Sequence, residues 1–167
     1  EPIGRNTAPC LAWACATVLK QDPNAQLFIS PADHLIDNET AFIKCAQTGL
    51  EHAAHHPHII TIGIETTSPH TGYGYIESAH SDTPFKPVHQ FHEKPDLSTA
   101  EIYHKSSNHY WNSGMFIVSA TYLMQLFQTH LPAYIPLLEK LSQTEKPTQT
   151  LFEQFERISI DFGIMRS

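Results

Sequence analysis

Apolar residues recur at helical spacing over the first twenty positions, and a short continuous apolar block closed by proline follows. Leu11, Ala12, Cys15, Ala16 and Leu19 make one face of a helix that Asn6 and Thr7 can cap, with Pro9 in its first turn and a stop at Asp22-Pro23. Residues 26–30 then read as a buried strand, and Pro31 ends it and opens a loop holding Asp33 and His34. A second helix is predicted over about residues 39–54, capped by Asp37 or Asn38, with Phe42, Cys45, Ala46 and Leu50 facing inward. The Ile- and Thr-rich run 58–64 is the next strand, and the turn-rich stretch 66–74 after it is too long for a simple hairpin and typical of a functional loop.

Residues 75–79 and 88–93 read as two further strands, and Ser98 with Glu101 has the capping-box pattern of a short helix. A strand over 111–118 is interrupted at Gly114. The stretch 120–156 is mainly helical, broken at Pro132, Pro136 and Pro147, and two short pieces, 157–161 and 162–166, close the chain. Helix signal alternating with strand signal, without repeats or linkers, indicates an α/β layer fold.

Composition narrows the function. With 167 residues, 41% of them apolar, the expectation is one domain that needs neither disulfide nor metal to form a core. Ten Lys and Arg against seventeen Asp and Glu give a net charge of −7, which disfavours nucleic acid or an anionic membrane as a partner. A phosphorylated small molecule is compatible only if a divalent cation or a few placed basic side chains offset the repulsion. No apolar run approaches the roughly 20 residues of a membrane span, so a cytoplasmic location is expected. Cys10, Cys15 and Cys45 lack metal-type spacing and read as reduced core residues, and His52, His55, His56 and His58 read as a solvated helix end. No G-x-S-x-G elbow is present to support covalent catalysis.

Ligands of open α/β sheets gather beyond the carboxyl ends of strands, which singles out four places. Asp33, on a turn stiffened by Pro31, is a carboxylate able to share Mg2+ with substrate phosphates, or simply a turn starter. Gly72 and Gly74, flanking Tyr73, let backbone amides approach a ligand, or make a plain turn. Glu93 and Lys94 offer an acceptor for hydroxyls beside a cation for phosphate, or a surface ion pair. Asn112 and Ser113 lie within an apolar strand and must be hydrogen-bonded there, to a ligand or to backbone.

Six ordered motifs together resemble the mannose-1-phosphate guanylyltransferases, in particular the bacterial type often fused to a mannose-6-phosphate isomerase domain. They are residues 1–9 (EPIGRNTAP), 31–34 (PADH), 71–76 (TGYGYI), 91–96 (FHEKPD), 111–116 (WNSGMF) and 159–163 (SIDFG). The resemblance implies a Rossmann-like mixed sheet of the nucleotide-diphospho-sugar transferase type, and transfer of a guanylyl group from GTP to mannose 1-phosphate, giving GDP-mannose and pyrophosphate. By family position Asp33 and Asp161 would hold Mg2+, with Asp33 and Lys94 as the catalytic groups. Glu93 would bind mannose hydroxyls, Lys94 the sugar phosphate and Asn112 a further hydroxyl. The backbone of Gly72, Tyr73 and Gly74 would line the sugar pocket, and Arg5, Asn6 and Thr7 would shape the nucleotide side.

The family's opening strand and glycine-rich phosphate loop have no counterpart among the seven glycines, and Phe162 stands where a tyrosine is commoner. The expectation is therefore an internal segment of such an enzyme, one partial domain over 1–167 truncated at that strand and loop, weak or inactive alone, in which self-association would cover exposed sheet edges. Two other readings stay open: a transferase for another sugar 1-phosphate, and a non-catalytic sugar-nucleotide-binding module.

Overall fold

A computed structural model describes residues 1–144 and 148–165. Pro147, where a helix break is expected, and Arg166, the expected end of the closing piece, lie outside the described residues. The chain divides into two compact units: Glu1–Phe28, Ile36–Ile59 and Ile117–Ser167 form the first, and Ile29–Leu35 with Ile60–Phe116 the second. The architecture is α/β, as the alternating pattern predicts, with an open, largely antiparallel sheet in keeping with the mixed sheet the resemblance implies.

In the first unit, helix α1 (Thr7–Leu19) packs on α4 (Ala120–His130) and α5 (Tyr134–Ser142). Its contact face is small, with Ala8, Ala12 and Cys15 fully buried, and these face a core that includes Leu123, Phe127, Tyr134 and Leu138. Small residues let the helix axes approach closely, and the large side chains opposite fill the space. The Cys15 thiol donates to the Ala120 carbonyl at 3.0 Å. Tyr134 stands edge-on to Phe155 at 4.9 Å, and Phe155 lies against Phe152 at 5.2 Å. Strand β1 (Gln26–Ile29) pairs with β5 (His109–Ser119), whose last residues belong to this unit.

Helix α2 (Glu39–His55) is capped by Asn38, whose side chain accepts from Ala41 N. Its buried positions are Gly49 and Ala53, with Phe42, Ala46 and Leu50 half-buried. Gly49 is required by packing, because a Cβ there would collide with the Ile117 side chain. Cys45 is exposed, contrary to the inward position expected of it, because it falls at the edge of the stripe set by 42, 46, 49 and 53.

Pro136 does not break the helical stretch either. It sits in the first turn of α5, where a missing N–H costs nothing, and the break falls around Pro132. Helix α6 (Gln149–Phe152) is a single turn, and Asp161–Met165 close the described chain as a π-helical turn.

The second unit holds β2 (Ile60–Glu65), β3 (Tyr75–Ser78), β4 (Val88–His92), helix α3 (Leu97–Lys105) and most of β5, with strand order β2-β5-β3-β4. β3 is antiparallel to both neighbours, with Tyr75 opposite His92 and Trp111, Ile76 opposite Phe91 and Tyr110, and Glu77 opposite Gln90 and His109. Side chains alternate across a strand, so Tyr75, Glu77, His92, His109 and Trp111 share one face while Ile76, Phe91 and Tyr110 share the other. The cap of α3 is Asp96, not Ser98: the Asp96 carboxylate accepts from Thr99 N at 2.8 Å and from the Ser98 hydroxyl at 2.9 Å. A carboxylate directly after Pro95 reaches the free amides first, and these bonds hold its pKa below the usual range. β5 also runs unbroken through Gly114, which takes φ +70 inside the strand.

Candidate functional site

Three of the motifs meet at one end of the second unit's sheet. The carbonyl of Gly74, at the end of the 66–74 loop, accepts from Asn112 N at 2.8 Å. A Cβ on Gly74 would lie 3.3 Å from the His92 carbonyl oxygen and 3.8 Å from Asn112 Cβ, so only a small residue lets the loop, the β4 exit and β5 come this close. Glu93 and Lys94 follow directly at that exit, both exposed. No hydrogen bond or ion pair occupies the Lys94 ammonium among the described residues.

Next to this junction, the Asn112 side-chain oxygen accepts from Gly114 N at 3.0 Å, which leaves the carboxamide NH2 as its ligand-facing chemistry. Ser113 is buried and bonded to backbone, donating to the Ile62 carbonyl at 2.6 Å and accepting from Met115 N at 3.1 Å. The two partners left open by sequence are thus backbone in both cases. The positive φ of Gly114 brings β5 up to the next motif: a Cβ at Gly114 would stand 3.4 Å from Pro31 Cγ. Asp33 follows in that loop, exposed.

The 66–74 loop is held by an aromatic group. His70 stacks on Tyr73 at 4.1 Å, Tyr73 meets Trp111 edge-on at 5.2 Å, and the Tyr75 hydroxyl donates to the His70 carbonyl at 2.9 Å. Within this group Trp111 Nε1–H is buried without a hydrogen-bond partner among the described residues, an arrangement native proteins rarely keep without a use.

The first unit carries the remaining predicted residues. Asn6 caps α1 through Thr7 N at 2.8 Å and takes φ 71, ψ −175, a conformation costly for any residue but glycine. Arg5 donates through Nε and Nη2 to the Phe155 carbonyl at 3.1 and 2.8 Å, and the Thr7 hydroxyl accepts from Ile160 N at 2.8 Å. Ala8 N–H donates to the Ile158 carbonyl at 3.2 Å. The N-terminal motif therefore fastens the segment 155–160, which leads into Asp161. Asp161 is half-buried between the buried Ile160 and Ile164, and Gly163 N–H closes the turn on the Ser159 carbonyl at 2.9 Å. His52, His56 and His58 stack at the end of α2, as a solvated helix end would allow, and burial with its two histidine neighbours lowers the His52 pKa.

The family model for nucleotidyl transferases matches residues 1–156. The chain belongs to the nucleotidyl transferase family. Among relatives, the chain is 41% identical to the xanthan biosynthesis protein XanB of Xanthomonas campestris pv. campestris (strain B100), over 99% of this chain and 36% of that protein. It is 45% identical to the mannose-1-phosphate guanylyltransferase RfbM of Salmonella typhimurium, over 75% of this chain and 27% of that protein. The crystal structure named mannose-1-phosphate geranyltransferase from Thermus thermophilus superposes with a TM-score of 0.86 at 31% identity, covering 99% of this chain and 48% of that one. The chain thus spans about a third of the length of the curated relatives it matches over nearly its whole extent.

One polar cluster of the second unit carries no signature in the sequence. Glu77 of β3, His92 of β4 and His109 of β5 converge on the sheet face they share, with His92 Nε2 3.1 Å and His109 Nε2 4.0 Å from Glu77 Oε2. The His92 hydrogen bond, with the positive charge its neighbours can carry, holds the Glu77 carboxyl below the usual range, and burial lowers the His109 pKa. Nothing in their sequence spacing marks the three, and only the strand register unites them. No helix among the described residues is long and apolar enough to cross a membrane.

Proposed function

We propose that the chain contributes the sugar-phosphate and metal side of a mannose-1-phosphate guanylyltransferase, which joins GTP and mannose 1-phosphate into GDP-mannose and pyrophosphate. The supporting observation is the junction of Gly74, Asn112 and the Glu93-Lys94 exit on one sheet end, beside the Asp33 loop. That grouping supplies what a phosphorylated hexose needs: donors and an acceptor for hydroxyls next to an uncommitted cation. The names of the relatives favour mannose 1-phosphate and a role in polysaccharide biosynthesis. A pathway from soluble phosphorylated substrates fits the cytoplasm.

In the reaction a phosphate oxygen of mannose 1-phosphate attacks the α-phosphorus of GTP, the new P–O bond forms, and the bond to pyrophosphate breaks. Little covalent chemistry is asked of the protein, so alignment and charge neutralisation carry the rate. Lys94 sets its ammonium against the attacking sugar phosphate. Glu93 accepts from mannose hydroxyls, the Asn112 NH2 donates to another, and the Gly72–Gly74 backbone closes on the ring. The Trp111 indole N–H is a further donor in the loop wall that a sugar oxygen would satisfy. Arg5, Asn6 and Thr7 fasten the nucleotide side by holding the segment that leads to Asp161.

By the family resemblance Asp33 and Asp161 would hold Mg2+, and the chemistry of each carboxylate suits that hard ion, which prefers carboxylate and phosphate oxygens. Neither carboxylate is engaged in an ion pair among the described residues. When bound, the ion would neutralise charge on the reacting phosphates.

Pyrophosphate release from GTP by the full-length protein with a panel of sugar 1-phosphates tests the proposal. Mannose 1-phosphate is expected to be preferred, with Asp33→Asn and Asp161→Asn each abolishing turnover. Preference for another sugar 1-phosphate, or GDP-mannose binding with no pyrophosphate release, would overturn it.

A further inference from the structure

The cluster of Glu77, His92 and His109 has the form of a transition-metal site that is separate from the phosphate chemistry. The ligand atoms of these three residues lie within 4.8 Å of one another, and none of the three is fully exposed. A tetrahedral ion with bonds of about 2.0–2.1 Å sets its ligand atoms about 3.3 Å apart, and the two separations to Glu77 Oε2, 3.1 and 4.0 Å, bracket that value. Little movement is needed to close the set on an ion.

The surroundings of the two imidazoles carry the argument further. The Ser106 hydroxyl donates its proton to the Tyr103 carbonyl at 2.7 Å, so at 2.6 Å from His109 Nδ1 it can only accept. Asn108 Oδ1 lies 3.0 Å from the same nitrogen. His109 therefore carries its proton on Nδ1 and presents the lone pair of Nε2 on the side of the Glu77 carboxylate. A lone pair facing a carboxylate across 4.0 Å is repulsive, and a cation between them turns the repulsion into coordination. His92 also turns Nε2 to Glu77, donating that proton to the carboxylate at 3.1 Å, with Nδ1 3.1 Å from the Tyr103 hydroxyl; an ion bound there would take the place of the Nε2 proton, leaving Nδ1 against the hydroxyl oxygen. Oxygen partners on the remote nitrogen of each ligating imidazole are the outer-shell arrangement that orients metal-bound histidines.

We propose that Glu77, His92 and His109 bind one divalent transition-metal ion, Zn2+ by preference, clamping β3, β4 and β5 together. Two imidazoles and one carboxylate are a zinc set with a fourth position for water, and imidazole donors select against Mg2+. Because His92 directly precedes Glu93 and Lys94, the ion would stiffen the strand exit that presents them. The Tyr103 ring, stacked on His109 at 4.3 Å, backs the site from α3.

The test is calorimetric titration of the chelator-treated full chain with ZnCl2, paired with the thermal midpoint. One Zn2+ per chain and a rise in Tm are expected, and both should persist in excess MgCl2, which cannot compete for imidazole donors. Glu77→Gln and His109→Gln should each weaken Zn2+ binding by more than about 100-fold, and Tyr103→Phe by about 10-fold. A double variant, His52→Ala with His58→Ala, should leave the affinity unchanged. In the unsubstituted chain, Zn2+ should shift the imidazole proton resonances of His92 and His109. Absence of stoichiometric binding would overturn the proposal. So would binding lost in the His52/His58 variant and kept in Glu77→Gln, or resonance shifts confined to other histidines.

Discussion

Replacing Arg5 by Met separates a structural anchor from a ligand contact. Both Nε and Nη2 of Arg5 donate to one carbonyl, that of the fully buried Phe155, at 3.1 and 2.8 Å. Hydrogen bonds from a charged donor contribute about 1.5–3 kcal/mol each, but two that share one acceptor from a partly exposed side chain act as little more than one. The net loss is about 2 kcal/mol, which for a chain of this size lowers Tm by about 4–8 °C. Arg5→Lys keeps the charge without the fork and should lose roughly half as much. Tyr134 donates to the next carbonyl, Glu156 O, at 2.7 Å. The double variant Arg5→Met with Tyr134→Phe should therefore be non-additive by at least about 0.5 kcal/mol, because both bonds hold one strap. Thermal and urea unfolding of the four proteins give the cycle. A Tm for Arg5→Met within about 1 °C of the unsubstituted chain would refute the anchoring role.

Other positions in the fold give outcomes as definite. Phe127→Ala empties a fully buried position between α4 and Tyr134 and should cost about 3–5 kcal/mol by urea unfolding. Asn6→Gly relieves a φ of 71 at a loss of only a few tenths of a kcal/mol of capping, so Tm should rise by a few degrees; a fall would show the cap to outweigh the strain. Gly114→Ala should cost about 1–2 kcal/mol, from backbone strain rather than collision, since Pro31 is at ordinary contact distance. A thiol reagent at pH 8 should label exposed Cys45 rapidly and leave Cys15 unmodified. Burial pushes the Cys15 thiol up to about 12 against about 8.5 in the unfolded chain, so its contribution to stability is complete below about pH 8.5 and is lost as pH rises towards 12. The alkaline decline in urea midpoint should accordingly be smaller in Cys15→Ala.

Periodicity placed the elements because burial is what spaces apolar residues, and α1, α2, β3, β4 and β5 all lie where it put them to within a few residues. It failed where a second force decides. Cys45 is apolar enough for a core but falls at the rim of the α2 stripe, and Pro136 is tolerated because the first turn of a helix has no bond to lose. Asp96 displaced Ser98 as a cap because a carboxylate placed earlier in the chain meets the same amides. The candidate site was legible at Glu93 and Lys94, which follow the end of β4, and at Gly74, which closes the loop ahead of β3, since strand ends predict proximity; Asn112 was legible as a polar residue inside the apolar run of β5. Glu77, His92 and His109 were not, because their convergence depends on the pairing register of three strands, which no local pattern encodes.

Charge gives the sharpest remaining test of how labour is divided among the basic residues. A chain of net charge −7 has few cations to place against phosphate, and several are committed internally. Arg5 holds the Phe155 carbonyl, Lys20 donates to the Ser142 carbonyl at 3.1 Å, and Lys86 donates to the Tyr110 hydroxyl at 2.6 Å. Lys94 stands exposed at the β4 exit and, among the described residues, without such a partner. An ammonium kept there has no stabilising contact to lose, so Lys94→Met should leave Tm within about 1 °C. A charged hydrogen bond to phosphate contributes about 1.5–3 kcal/mol, so the same variant should weaken mannose 1-phosphate binding by about 10–150-fold. Arg5→Met should do the reverse in stability and change that affinity far less. Calorimetric titration of the full-length protein with mannose 1-phosphate, read beside the two Tm values, decides the matter. Unchanged affinity in Lys94→Met would remove the cation on which the sugar-phosphate assignment depends.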